Sequence, residues 1–236
     1  MSAAVAADAA AKSAPAFPKA VLFDLDGTLL DSAPDMLAVA NLMRAQHGLE
    51  PMPLDDLRAH VSKGSRAMLG AAFPHIDASE RDGWVQQFLD LYERELGLHG
   101  APFDGVEPML AALEAAGRPW GIVTNKPEYL ARKLMPLLGW ETRCAVLIGG
   151  DTLAVRKPDP LPLTVAAQQI GIDPADCVYV GDDERDILAA RGAGMASVVA
   201  LWGYRLAEDD PVAWQGDRMI EAPQTLCAAA AWPHGR

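Results

Sequence analysis

Residues 20–32 read AVLFDLDGTLLDS. The run from Ala20 to Phe23 is apolar without alternation and ends in Asp24, Leu25, Asp26 and Gly27. A short continuous apolar run suits a strand buried on both faces of a parallel sheet. Side chains alternate along a strand, so Asp24 and Asp26 share a face at its end. Gly27 permits a tight turn there. Two carboxylates ~4 Å apart repel by roughly 4 kcal/mol at an effective dielectric near 20. A bound cation or a nearby lysine would offset that cost. One carboxylate of such a pair can attack phosphorus and form an aspartyl-phosphate. The other can protonate a leaving oxygen and later deprotonate water. A lone Asp-Gly is usually a plain turn, but D-L-D-G-T closing an apolar strand is far more specific.

Working outward, similar apolar runs recur at residues 120–124 (WGIVT), 145–148 (AVLI), 177–181 (CVYVG) and 196–201 (ASVVAL). Helical patterns lie between them, at residues 107–116, 128–138, 161–170 and 184–191. Strands alternating with helices predict an α/β fold, a Rossmann-like parallel sheet core. Ligands of such sheets bind beyond the carboxyl ends of the strands. Residues 34–102 break the alternation. They show no convincing strand, but helical spacing at 35–46 (Met36, Val39, Met43) and at 79–98 (Trp84, Phe88, Leu91, Leu96). This predicts a helical cap domain inserted after the first strand, hinged near Pro34 and at Ala101-Pro102. The core is then 18–33 with 103–236, and the Ala-rich residues 1–17 form a disordered tail.

Composition narrows the function. The chain has 236 residues, half of them hydrophobic, and a net charge of -12. Such an acidic protein repels nucleic acid and anionic membranes at long range. An anionic substrate must be drawn in by local positive charge or a metal. Cys144, Cys177 and Cys227 are scattered and odd in number, which argues against a disulfide framework or zinc site and for a reducing cytoplasm. The five histidines are equally dispersed, so no His-based metal site is expected. The N-terminal segment lacks a basic start, Asp8 and Lys12 interrupt its apolar run, and no apolar run reaches 18 residues. No feature specifies an oligomeric state.

Residues 123–126 (VTNK) end the next core run. The Thr124 hydroxyl and neighbouring backbone amides can hold phosphate oxygens at a strand-to-helix turn. Asn125 and Glu128 also have capping-box-like spacing, with Pro127 near the first turn. Further on come Arg156-Lys157-Pro158-Asp159-Pro160 and Gly181-Asp182-Asp183-Glu184-Arg185-Asp186. Asp183 and Glu184 fit the ordinary acidic enrichment of a helix's first turn.

Together these stretches resemble the haloacid dehalogenase superfamily. FDLDGTLLDS (residues 23–32) is similar to its first motif, Thr124 to the second, R-K-P-D-P to the third and G-D-x-x-x-D to the fourth. The resemblance runs from about Lys19 onward. It implies Asp24 as nucleophile and Asp26 as general acid/base, the latter kept by phosphatases and phosphomutases but not by dehalogenases. It implies Lys157 as the cation that neutralises the nucleophile and the transferring phosphoryl group. Magnesium would be held by Asp24, Asp182 and the backbone carbonyl of Asp26, a hard-oxygen set. Asp186 would orient Lys157 or a metal-bound water. Thr124 and Asn125 would bind substrate. So would the cap loop Ser62-Lys63-Gly64-Ser65-Arg66, through Lys63, Gly64 and Arg66, unless its bases are merely solvated. Caps of this kind close over the site. The implied substrate is a small phosphorylated metabolite. Overall similarity points to the phosphoglycolate phosphatase group and thus 2-phosphoglycolate. Trp202-Gly203-Tyr204, residues 208–211, Trp214 and residues 62–68 look like a neighbouring group acting on N-acetylmuramic acid 6-phosphate in cell-wall recycling. A β-phosphoglucomutase-like isomerase would share all four motifs. A non-catalytic binding module is expected to have lost one, and none is lost.

Overall fold

The computed structural model describes residues 16–233. Residues 1–15 of the expected tail and His234 lie outside that range. Phe17, also assigned to the tail, packs against the core.

The elements in chain order are β1 (Ala20–Phe23), β2 (Leu30–Asp31), α1 (Ala33–Gln46), α2 (Leu54–Arg58), α3 (Ser65–Ala72), α4 (Ala78–Gly83), α5 (Val85–Glu95) and β3 (Ala101–Pro102). Then follow α6 (Val106–Ala115), β4 (Trp120–Val123), α7 (Glu128–Leu137), β5 (Leu147–Ile148), α8 (Leu161–Gln169), β6 (Cys177–Gly181), α9 (Glu184–Gly192), β7 (Ala196–Ala200) and β8 (Arg218–Ile220).

Six strands form one parallel sheet in the order β5-β4-β1-β6-β7-β8. The chain builds outward from β1 to one side, then returns to build from its other side. Such a reversal opens a crevice at the strand ends. Phe23 is level with Ile122 of β4 and Val180 of β6. Asp24 therefore emerges at that crevice, and its amide donates to Val180 O at 2.9 Å. β1, β4, β6 and β7 are buried throughout, as uninterrupted apolar runs require. β8 was not expected: it is a short edge strand, mostly exposed, with no apolar run to signal it.

Between β2 and β3 lie five helices. β2 and β3 pair antiparallel, Leu30 with Pro102 and Asp31 with Ala101, so the chain enters and leaves the helical segment side by side. Two-residue strands carry no periodicity, which is why the sequence shows none there. Met36, Val39 and Met43 of α1 are buried as their spacing predicts. Asp35 is also buried, and its carboxylate accepts from the amides of Gly97, His99 and Gly100 at 2.7–3.0 Å. It ties the start of α1 to the returning chain. The single helix expected over residues 79–98 is two helices. They meet at Trp84, whose ring packs 4.4 Å from His47 and 5.0 Å from Phe73. Gly83 disfavours helix continuation just before it. Neither α2 nor α3 was expected, and Ser65 and Arg66 open α3 rather than lying in a loop.

Candidate active site

Four strand ends converge on one cavity of about 370 Å³, lined by Asp24, Asp26, Thr124, Lys157 and Asp186 among others. Asp24 follows β1, Thr124 follows β4, and Asp182 follows β6. Lys157 sits on the loop after β5, and Asp186 on the first turn of α9.

Lys157 is 3 % exposed. Its ammonium donates to Asp186 Oδ1 at 2.7 Å and Tyr179 Oη at 2.7 Å, and lies 3.0 Å from Asp24 Oδ1. These use its three protons. The Tyr179 hydroxyl in turn donates to Val123 O at 2.6 Å. Burial disfavours the ammonium, but Asp186 and Asp24 outweigh it and the Lys157 pKa is raised. Asp186 Oδ1 thus accepts directly from Lys157. Its second oxygen accepts from the Asp183 amide at 3.1 Å, closing a capping box with Asp183 at the start of α9.

Asp182 is fully buried. Oδ1 accepts from the Thr28 hydroxyl at 3.1 Å, and Oδ2 from Ser62 Oγ at 2.8 Å and the Tyr204 amide at 2.9 Å. Burial, then the carboxylates of Asp24 and Asp186, push its pKa well up despite these bonds. Oxygens of Asp24, Asp182 and Asp186 all lie within 4.8 Å of one another. Three buried carboxylates with hard oxygen donors suit a divalent cation, which would relieve their mutual repulsion. The backbone is shaped around this cluster. A Cβ on Gly27 (φ +85) would lie 2.2 Å from Asp182 Oδ2, and one on Gly203 2.2 Å from Asp182 Cβ.

The Asp26 carboxylate lines the cavity but is not part of the cluster. Lys126 holds both its oxygens, at 3.0 and 3.1 Å, and donates to the Tyr92 hydroxyl of α5 at 2.7 Å. Sequence reasoning missed Lys126, although it adjoins the quoted Thr124-Asn125 pair. Asn125 does not cap α7, contrary to the spacing argument. Its side-chain amide donates to Lys157 O at 3.0 Å, and the α7 amide of Glu128 is met by Asp151 at 2.7 Å.

Lys63, Gly64 and Arg66 line the cavity. Lys63, however, is bound to Asp183 and Asp209, each at 2.9 Å, and Arg66 to Asp82 at 2.9 Å. Arg185 donates to Asp183 Oδ1 at 2.8 Å and to Ser62 O. The loop is thus fastened to the core beside Asp182, a role the sequence did not suggest for Ser62. Tyr204 extends the fastening: its hydroxyl donates to Asp31 at 2.7 Å and accepts from the Ala33 amide at 3.0 Å.

The chain is similar to known proteins in sequence and in fold. A phosphoglycolate phosphatase of Xanthomonas campestris pv. campestris is 65% identical over 217 residues, covering 92% of this chain and 98% of the relative. An N-acetylmuramic acid 6-phosphate phosphatase of Pseudomonas aeruginosa is 45% identical over 209 residues, covering 88% and 92%. The crystal structure of a Haemophilus somnus protein described as a predicted phosphoglycolate phosphatase superposes with a TM-score of 0.77 at 25% identity, covering 88% and 96%. The haloacid dehalogenase-like hydrolase family matches residues 18–194. With the carboxylate pair of β1, the buried lysine and the acidic cluster at one crevice, the chain belongs to the haloacid dehalogenase-like hydrolases.

Proposed function

We propose that this hydrolase is a magnesium-dependent phosphatase that cleaves a small phosphate monoester through an aspartyl-phosphate on Asp24. The observation that carries the reading is the meeting of Asp24, Asp26, Thr124 and Lys157 in one cavity beside the Asp24–Asp182–Asp186 cluster. Asp24 attacks phosphorus, and the departing ester oxygen takes a proton from Asp26. Lys157 holds Asp24 in place and offsets charge on the phosphoryl group. Thr124 and the amides after β4 bind its oxygens. Asp26 then removes a proton from water, which attacks phosphorus, releases phosphate and restores Asp24. Magnesium bound at Asp24 and Asp182 would supply the positive field that draws an anionic ester into so acidic a chain. The helical segment between β2 and β3 serves as the cap that excludes bulk water.

The first substrate to test is 2-phosphoglycolate, the ester for which the 65%-identical relative is named. A second reading is N-acetylmuramic acid 6-phosphate. It is favoured by the cavity wall of Met36, Val61, Met68, Val85 and Phe88, and by a volume of about 370 Å³. That is room for about a dozen waters at ~30 Å³ each, more than a two-carbon ester fills. The free thiols of Cys144, Cys177 and Cys227 are in keeping with work in a reducing compartment such as the cytoplasm. Among the described residues no helix is long and apolar enough to cross a membrane.

The test is phosphate release by the purified full chain from both esters and from a sugar 1-phosphate, with magnesium and with a chelator. Release that stops in chelator is expected. Conversion of the sugar phosphate without free phosphate, dependent on a bisphosphate, would mark an isomerase instead. Substantial turnover by a clean Asp24→Asn preparation would refute the nucleophile.

A further inference from the structure

Six cationic side chains line the cavity: Lys63, Arg66, Lys126, Arg156, Lys157 and Arg185. Five have carboxylate partners. Lys63 meets Asp183 and Asp209, Arg66 meets Asp82, and Lys126 meets Asp26. Lys157 meets Asp24 and Asp186, and Arg185 meets Asp183. Among the described residues, Arg156 alone of these six pairs with no carboxylate. Partners are not scarce, since the chain carries 32 acidic residues against 20 basic ones.

Arg156 is an exposed residue at the cavity's edge, and it is its backbone that is fixed. Its carbonyl accepts from the Asp159 amide at 3.0 Å, which closes the turn that delivers Lys157 to Asp24. Arg156 lines the same cavity as Asp24, Thr124 and Lys157. The inner cations are spoken for by Asp24, Asp26 and Asp186. Arg156 is left to the part of the ester beyond the phosphate. A guanidinium offers a planar fork of donors that matches a carboxylate two bonds at a time.

We propose that Arg156 binds a carboxylate on the leaving group, so that the enzyme selects phosphate esters that also carry a carboxylate. The proposal rests on the phosphatase reading for its place in the reaction. The two esters named for the relatives, phosphoglycolate and N-acetylmuramic acid 6-phosphate, differ greatly in size, yet both carry a carboxylate besides the phosphate. In phosphoglycolate the carboxylate sits on the carbon that bears the ester oxygen, and in N-acetylmuramic acid 6-phosphate it sits across the sugar ring, so the two pairs test the near and the far case separately.

The experiment uses two matched pairs: 2-phosphoglycolate against 2-hydroxyethyl phosphate, and N-acetylmuramic acid 6-phosphate against N-acetylglucosamine 6-phosphate. The members of each pair differ in the carboxylate-bearing group. Binding is measured by calorimetry on the Asp24→Asn full chain, with and without Arg156→Gln, Arg156→Lys or Arg66→Gln. Phosphate release is measured in parallel on chains that keep Asp24. The expected result is tighter binding of the carboxylated member in at least one pair. Arg156→Gln should cut that preference by about tenfold or more, mainly through KM in turnover, and Arg156→Lys should restore part of it. The proposal is overturned if neither pair shows a preference. It is equally overturned if Arg156→Gln weakens both members alike, or if Arg66→Gln rather than Arg156→Gln erases the preference. Absence of phosphate release from all four esters overturns the phosphatase reading, while calorimetry still decides the role of Arg156.

Discussion

Lys157 Nζ lies 2.7 Å from Asp186 Oδ1 and 3.0 Å from Asp24 Oδ1, so one buried ammonium holds carboxylates from two different strand ends. Removing one partner of a buried ion pair costs about 3–5 kcal/mol, because the other charge is left uncompensated. Lys157→Met strands two. We expect it to lose about that much stability in urea titration and more than about a thousandfold in turnover. A variant that keeps wild-type stability would contradict the reading of this network.

Asp182, Asp24 and Asp186 are buried together, and burial with like charge raises the Asp182 pKa. The folded state thus disfavours the ionised Asp182, and without a cation at neutral pH that charge opposes folding. In chelator, Asp182→Asn should therefore melt no lower than wild type. Its amide oxygen can keep the Ser62 and Tyr204 bonds while its NH2 donates to the reversible Thr28 hydroxyl. Magnesium at about 100 times its Kd should stabilise wild type by about 2.7 kcal/mol and the variant far less. Scanning calorimetry with and without magnesium checks both halves. Equal magnesium shifts would remove Asp182 from the metal site.

Lys126 holds both oxygens of Asp26 and reaches Tyr92 across the seam between core and helical segment. If it positions the general acid/base, Lys126→Met should lower kcat by roughly tenfold to a hundredfold, a part of what acid–base catalysis contributes. The loss should be larger for alkyl esters, whose leaving oxygen needs a proton, than for p-nitrophenyl phosphate. A loss of the same size for both would mean that Lys126 does something other than position Asp26.

Burial pushes the thiols of Cys144 and Cys177 up to about 11. At pH 8 their thiolate fraction is then about one in a thousand. Iodoacetamide at pH 8 should leave both unmodified in the native chain and alkylate both after denaturation, as peptide mass spectrometry would show. Rapid native labelling of either would contradict this burial.

The parallel sheet was legible because β1, β4, β6 and β7 are buried on both faces and so must be apolar end to end. Asp24, Thr124 and Asp182 were legible because each charged or polar group sits where such a run stops, whereas Lys157, on the loop after β5, was legible only through the R-K-P-D-P resemblance. Elements with no periodicity of their own stayed hidden: the two-residue pair β2 and β3, the exposed edge β8, and the short helices α2 and α3. Residue order fixes what each strand end carries. It does not fix what lies opposite. Only the folded chain brings Lys126 to Asp26, Ser62 to Asp182 and Asp209 to Lys63, pairs separated by at least 100 residues. It is likewise only there that Arg156 lines the cavity with no carboxylate among the described residues to meet it. Local patterning reports burial, a property of each segment, whereas partnership between distant charges is a property of the fold.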